Sequence, residues 1–275
     1  MEIQQSSLYK MYIQSLGWQV VSLDGSNVFI RRFPFVGSLA KIQRPTKLPN
    51  LTKLVPVLKQ YNVRTLAVEP DRRVAQIQLR AWCKRIGRHV RLNGMPFLPT
   101  KTMYINLSPS GQAIFDKFSE AKRRAVRRSI KNNVTVKEST NIDDLIRVKN
   151  KSAGMFGFIT TYGIKKLWNI FAPKHAAILL AYSSPNETVG GVLLLFWKDT
   201  AYYWIAGATK KGKKLFAPTL LVWEALKLAK NRGAKQFDFV GVWDERIPNK
   251  FHEWKGFTKF KEGFGGAAQY YPLTP

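Results

Sequence analysis

Acidic residues are scarce in this chain of 275 residues: 17 Asp and Glu stand against 45 Lys and Arg, giving a formal charge of +28. Cysteine is nearly absent. Cys83 alone cannot form an internal disulfide, which suits a reducing compartment, and it reads as a small residue on a helix. Long hydrophobic runs are missing too, since residues 176–182 and 192–197 are only strand length and fall short of a membrane span. The start, Met1-Glu2-Ile3-Gln4-Gln5-Ser6, has neither the basic opening nor the apolar core of an export signal, so a cytoplasmic protein is expected. The three histidines, His89, His175 and His252, lack metal-ligand spacing, and there is no Gly-x-Ser-x-Gly turn, Walker A loop or paired-Asp magnesium motif. No metal site and no bound cofactor are expected.

What remains is a globular composition, 45% hydrophobic with eight Trp, carrying a strong positive field. Such a field attracts nucleic acid, anionic headgroups or diphosphates, without naming a reaction. Part of it is concentrated in one predicted helix, where Lys122, Arg123, Arg124, Arg127, Arg128 and Lys131 face only Glu120. Like charges four residues apart repel, so a phosphate backbone that neutralises them offsets a penalty; a solvated helical face is the alternative. A second basic stretch, Thr209-Lys210-Lys211-Gly212-Lys213-Lys214, leads into a helix at Pro218. Helix starts after glycine-containing loops hold phosphates, but the Gly-rich spacing used for coenzyme A is missing here. Glu69-Pro70 closes a predicted strand, and proline biases Glu69 toward extended backbone at the sheet's end. That carboxylate suits either a base for an amine proton or a cap for the following helix.

The spacing predicts strands at 18–23 and 27–34 around Asp24-Gly25-Ser26, a strand at 38–43, a helix at 51–61, a strand at 64–68 and a helix at 72–86. A strand at 102–107 and one long helix at 112–131 follow. The second half repeats the logic: a helix start at Asn141, a helix at 164–171, a meander at 176–182, 188–197 and 201–206, a helix from Pro218 to Asn231, and a strand at 235–242. Tyr202, Tyr203 and Trp204 alternate as sheet packing. Meander, helix and short strand thus occur twice. That order predicts an α/β fold with mixed sheets, as two tandem GNAT-like acyltransferase domains at 1–136 and 137–275, with the C-terminal tail returning to the first.

The most telling stretch is Gly256-Phe257-Thr258-Lys259-Phe260-Lys261-Glu262-Gly263-Phe264-Gly265-Gly266. Taken alone it suits a closing hairpin with a solvated lysine, or a lysine pressed against aromatic surface, where low dielectric strengthens attraction to an oxyanion. Together with Gln5-Ser6-Ser7-Leu8-Tyr9, Ile42-Gln43-Arg44-Pro45, Val68-Glu69-Pro70, Lys122-Arg123-Arg124, Ala217-Pro218-Thr219-Leu220 and Phe237-Asp238-Phe239-Val240-Gly241, it resembles the FemABX family in family order.

The resemblance implies a tRNA-dependent aminoacyltransferase that adds an amino acid to a stem-peptide amine of a peptidoglycan precursor. The co-substrate would be aminoacyl-tRNA, and the acceptor a UDP-MurNAc-pentapeptide or a lipid-linked muramyl peptide. The protein would be a monomer with peripheral contact at the inner membrane face. Lys261 matches the family lysine assigned to the oxyanion, with Phe260 shaping its pocket, and Glu69 falls near the acceptor amine. Arg44, Tyr162, Lys166 and Phe216 stand at substrate-binding positions, with Tyr162 and Lys166 replacing the expected arginine and nearby tyrosine and Leu215-Phe216 replacing a tyrosine-bearing pair. The coiled-coil arm of some members is absent. Rival readings are an acyl-CoA N-acyltransferase and a non-catalytic nucleic-acid-binding protein.

Overall fold

A computed structural model describes residues 2–154 and 157–275, the side chains of 157 and 158 excepted. The chain forms two compact units, one reaching to Lys101 and including Tyr270–Pro275, the other Thr102–Gln269.

In the first unit Ser6 caps helix α1 (Ser7–Ser15) by accepting from Tyr9 N. The Asp24-Gly25 turn then joins β1 (Gln19–Leu23) to β2 (Ser26–Phe33), and β3 (Gly37–Gln43) completes an antiparallel meander. Parallel pairing of β3 with β4 (Val63–Glu69) requires a crossover, supplied by α2 (Leu51–Gln60), whose N-cap Asn50 accepts from Thr52 N and whose Leu54 and Leu58 are buried. After α3 (Gln76–Ile86), β5 (Arg91–Leu92) extends the sheet to the order β1-β2-β3-β4-β5. Alternate residues Val28, Ile30, Ala40, Ile42, Leu66 and Val68 meet α2 and α3 in one core. Cys83 is buried there, and burial pushes its thiol up to about 11, so it is an inert packing residue. Helix α3 starts at Gln76, four residues later than the spacing predicts. Asp71 holds the preceding turn, accepting from Arg73 N at 3.0 Å and from the Arg73 side chain.

The second unit contains β6 (Lys101–Asn106), α4 (Gly111–Asp116), α5 (Glu120–Lys131), β7 (Thr135–Ser139), α6 (Ile142–Ala153), α7 (Gly157–Thr160) and α8 (Ile164–Phe171). There follow β8 (Ala176–Ser184), β9 (Glu187–Trp197), β10 (Thr200–Ala208), α9 (Lys210–Lys214), α10 (Ala217–Asn231), β11 (Gln236–Asp238), α11 (Lys255–Glu262) and β12 (Ala267–Tyr270). They build a seven-stranded sheet, β12-β6-β11-β10-β9-β8-β7, in which β10 and β11 are parallel. Both faces are covered: a Cβ on Gly190 would meet Leu221 of α10 at 2.9 Å, and one on Gly191 would meet Leu145 of α6 at 2.8 Å.

Four expectations change. The units divide after Lys101, not after 136, because β6 pairs with β11 and the α5 helix packs on α10. The helix expected at 112–131 is two, broken where Phe118 buries itself against Trp223 and Phe264 and Ser119 N donates to Gly263 O at 2.8 Å. The strand expected at 235–242 ends at Asp238, since Val240 and Gly241 take φ of 54° and 117°. Finally, the closing hairpin allowed for 256–266 is instead a helix, α11, followed by a short strand. Among the described residues no helix is long and apolar enough to cross a membrane.

Candidate active site

Strands β10 and β11 pair only between Thr200–Tyr202 and Gln236–Asp238. Beyond that point β10 continues to Ala208, past a bulge between Tyr203 and Ile205, while β11 gives way to the Phe239–Gly241 turn. Two parallel strands therefore separate at their carboxyl ends, the position where open α/β sheets take ligands. The turn is pinned by Asp238, whose carboxylate accepts from Val240 N at 2.7 Å and from the Thr102 hydroxyl, and that hydroxyl accepts from Gly241 N at 3.1 Å.

Lys261 is delivered to this turn by the last turn of α11. Its Nζ donates to Phe239 O at 2.8 Å and to Gly241 O at 2.6 Å, leaving one N–H of the ammonium beyond those two bonds. The rings nearest the ammonium are Phe257 at 4.8 Å and Phe239 at 5.9 Å. Burial draws the Lys261 pKa down to about 8 and the Asp238 carboxylate partly opposes it, so the ammonium form still predominates at neutral pH. The solvated lysine of the hairpin reading is thus a part-buried, carbonyl-bound one. The glycines of this segment serve close packing: a Cβ on Gly265 (φ 76°) would lie 2.5 Å from Lys117 O, and one on Gly263 would lie 2.7 Å from Lys122 Cε.

Phe260, assigned by resemblance to the Lys261 pocket, faces elsewhere. Its ring packs edge-on to Phe264 and lies 3.8 Å from Lys122 Nζ. Neighbouring helix positions point about 100° apart, so Phe260 faces Lys122 while Lys261 faces the Phe239–Gly241 turn. Lys122 itself is half-buried, with its pKa drawn down by burial to about 8. Only its place in a basic run marked it in the sequence; the cue missed is the Phe260-Phe264 pair one turn apart, a ready seat for an ammonium.

Glu69 and Arg44 lie in the first unit, and both are buried. The Glu69 carboxylate accepts from Phe97 N at 2.7 Å, Leu98 N at 2.6 Å and Gln43 Nε2 at 3.0 Å. It anchors the 97–98 segment and does not cap α3, whose N-terminus has no side-chain cap. The Arg44 guanidinium stacks 3.3 Å from the Tyr271 ring centre and donates to Pro70 O at 3.3 Å and to Pro99 O. Sequence reasoning passed over Lys41, whose Nζ lies 3.8 Å from the Phe97 ring centre and 4.7 Å from that of Trp18. Burial lowers its pKa, Glu69 opposes that, and Arg31 adds to it.

The remaining candidates are surface groups of the second unit. Tyr162 is 65% exposed in the turn before α8, and Lys166 is exposed on the first turn of that helix. Phe216 takes a left-handed conformation at the start of α10, with the Arg128 guanidinium 5.8 Å from its ring. That contact brings Arg128 of α5 to the junction between α9 and α10. Arg124 (paired to Glu120 at 3.1 Å), Arg127 and Arg128 are exposed, as are Lys210, Lys213 and Lys214; Lys211 pairs with Glu187. Arg123 is not part of that surface: it folds back to donate to Asp116 O at 2.9 Å and to Phe118 O. Thr209 seats α9 by accepting from Gly212 N at 3.0 Å, and a Cβ on Gly212 would lie 2.2 Å from Val189 O. Among the described residues no group of His, Cys, Asp and Glu could hold a metal ion.

Known proteins match this arrangement. Residues 175–272, which include β10, α10, β11 and α11, match the FemAB family. The fold is that of FemX, with a TM-score of 0.75 at 14% identity over 98% of this chain and 90% of that one. The C-terminal domain of a putative lysylphosphatidylglycerol synthetase from Agrobacterium fabrum gives 0.62 at 13% identity, over 98% and 86%. A tandem GNAT protein from the clavulanic acid biosynthesis pathway gives 0.53 at 10% identity, over 92% and 80%. No curated protein matches the sequence. The mixed α/β fold with two sheets is thus shared with FemX and with a tandem GNAT protein, and the FemAB match over residues 175–272 supports a transferase.

The depressed Lys261 pKa has a measurable consequence for stability. Between about pH 8 and the ordinary lysine range, the unfolded chain binds the proton and the folded chain does not. Stability conferred at this position therefore rises with pH across that window. Wild type is expected to gain stability relative to Lys261→Met as pH increases from 8 to 10, measured by chemical denaturation; parallel curves would contradict the shift.

Proposed function

We propose that this chain, whose residues 175–272 carry the FemAB match, is a tRNA-dependent aminoacyltransferase that extends a peptidoglycan precursor. The observation that supports this most is the Lys261 ammonium, fixed by two carbonyls at the parting of β10 and β11. An aminoacyl ester placed there would direct its carbonyl oxygen to the remaining N–H. The neutral stem-peptide amine attacks the ester carbon, forming a C–N bond and a tetrahedral oxyanion. That oxyanion collapses as the C–O bond to the tRNA 3′ oxygen breaks, and the proton lost by the amine ends on the departing hydroxyl. Because the ester is already activated, positioning and charge stabilisation suffice without a strong base. The three donors on Glu69 favour an anchoring role for its carboxylate over that of a free base, which fits such a mechanism.

The tRNA backbone is assigned to the exposed cations of α5 and α9. Aminoacyl-tRNA is a co-substrate, so no resident cofactor is invoked. The acceptor is a UDP-MurNAc-pentapeptide or its lipid-linked counterpart, and the enzyme works as a monomer at the cytoplasmic membrane face. An acyl-CoA donor is disfavoured because α9 uses the Gly212 amide internally, on Thr209.

Transfer of radiolabel from a pool of charged tRNAs to UDP-MurNAc-pentapeptide or lipid-linked precursor tests the reading, with acetyl-CoA as rival donor and phosphatidylglycerol as rival acceptor. Label on a muramyl peptide is expected; label from acetyl-CoA or on phosphatidylglycerol assigns another reaction. Lys261→Ala should lower kcat by roughly 10²–10³ while leaving tRNA affinity unchanged, the size expected for losing one oxyanion donor. Glu substitutions at Arg124, Arg127 and Arg128 should weaken tRNA binding and reduce its salt slope by about one per lost phosphate contact. An unchanged slope would return α5 to a solvated face.

A further inference from the structure

The β2–β3 hairpin ends in an arrangement that packing does not explain. At its tip Val36 N donates to Pro34 O at 2.8 Å across Phe35, which takes a φ of 63°. A three-residue turn with a positive-φ aromatic at its centre is strained, and such strain is a pointer to a role outside the core. Its effect here is to turn Phe35 wholly into solvent: Phe35 is 105% exposed, Val36 68% and Phe33 40%. Cations ring the base of the tip. Arg31 lies 5.8 Å from the Phe33 ring and equally far from Trp18, Arg32 is exposed, and the Arg64 chain fills the space that a Cβ on Gly37 would occupy, at 2.8 Å. No acid of residues 3–68 lies at this end. Between Glu2 and Glu69 only Asp24 is acidic, and it sits at the opposite end of β2, paired to Lys53 at 2.6 Å.

We infer that this tip is a membrane wedge that inserts Phe35 and Val36 at the acyl boundary of an anionic bilayer, with Arg31, Arg32 and Arg64 on the headgroups. A polyanion such as RNA would satisfy the arginines and leave a convex apolar tip in water. A bilayer satisfies both layers at once: apolar surface below the headgroups, cations among them. The inference rests on the hairpin and specifies the membrane placement given above; the transfer reading stands or falls separately.

The full chain should co-sediment with phosphatidylcholine vesicles containing phosphatidylglycerol, and poorly with phosphatidylcholine alone. Phe35→Ser/Val36→Ser should lower vesicle binding about tenfold or more, with thermal unfolding and transfer to soluble UDP-MurNAc-pentapeptide unchanged. Arg32→Glu/Arg64→Glu should remove the preference for anionic vesicles. In Phe35→Trp, emission should shift to the blue on vesicle addition and be quenched by brominated acyl chains. Equal binding by the variants, an unshifted Phe35→Trp emission, tRNA affinity lost with Phe35, or a concentration-dependent dimer abolished by Phe35→Ser would each overturn the wedge.

Discussion

Removing an ammonium from water is costly unless its donors are met, and the site of the second unit is organised around how Lys261 meets that demand. Its partners are the backbone carbonyls of Phe239 and Gly241, not a carboxylate. An ion pair would neutralise the charge, whereas two carbonyl dipoles hold the cation in place with its field unspent. This requires a backbone stretch that leaves the sheet at the right residue, which Asp238, Thr102 and the left-handed Val240 provide. It also requires α11 to approach α4 and α5 closely, which Gly263 and Gly265 permit.

The rest of the second unit follows from the same need. Parallel strands β10 and β11 must part after three paired residues, and the β10 bulge lets β10 diverge without losing β9. Trp204–Gly207 are left half-exposed along the opened strand. Basic helices α5 and α9 both pack on α10, and Arg128 of α5 reaches Phe216, which joins α9 to α10. Under the proposed reading, a polyanionic donor and an oxyanion-stabilising lysine would draw on different groups of one unit.

Much of the fold was legible because helix caps and alternating strands act locally: Asn50, Asn141 and the Asp24-Gly25 turn sit where the elements begin or reverse. What sequence could not show depends on distant partners. The break at Ser119 needs Gly263, 144 positions later, and the early end of β11 needs Thr102. Lys261 and Glu69 stood out from motif and position, yet their roles as carbonyl-bound cation and amide-bound anchor are tertiary facts. Arg123 looked like its neighbours until its guanidinium turned back on the carbonyls of Asp116 and Phe118. Lys122 and Lys41 were hidden because a charge's environment is set by aromatics that the fold, not the spacing, brings over it.

The most direct test of the central claim is the pH–rate profile of aminoacyl transfer for wild type and Lys261→Arg. If the Lys261 ammonium holds the oxyanion, the wild-type rate falls as pH rises through about 8, where that ammonium loses its proton. The arginine variant, slower but permanently charged, should show no such alkaline limb. An alkaline limb at the same pH in both proteins would contradict the account, because some other group would then carry the titration.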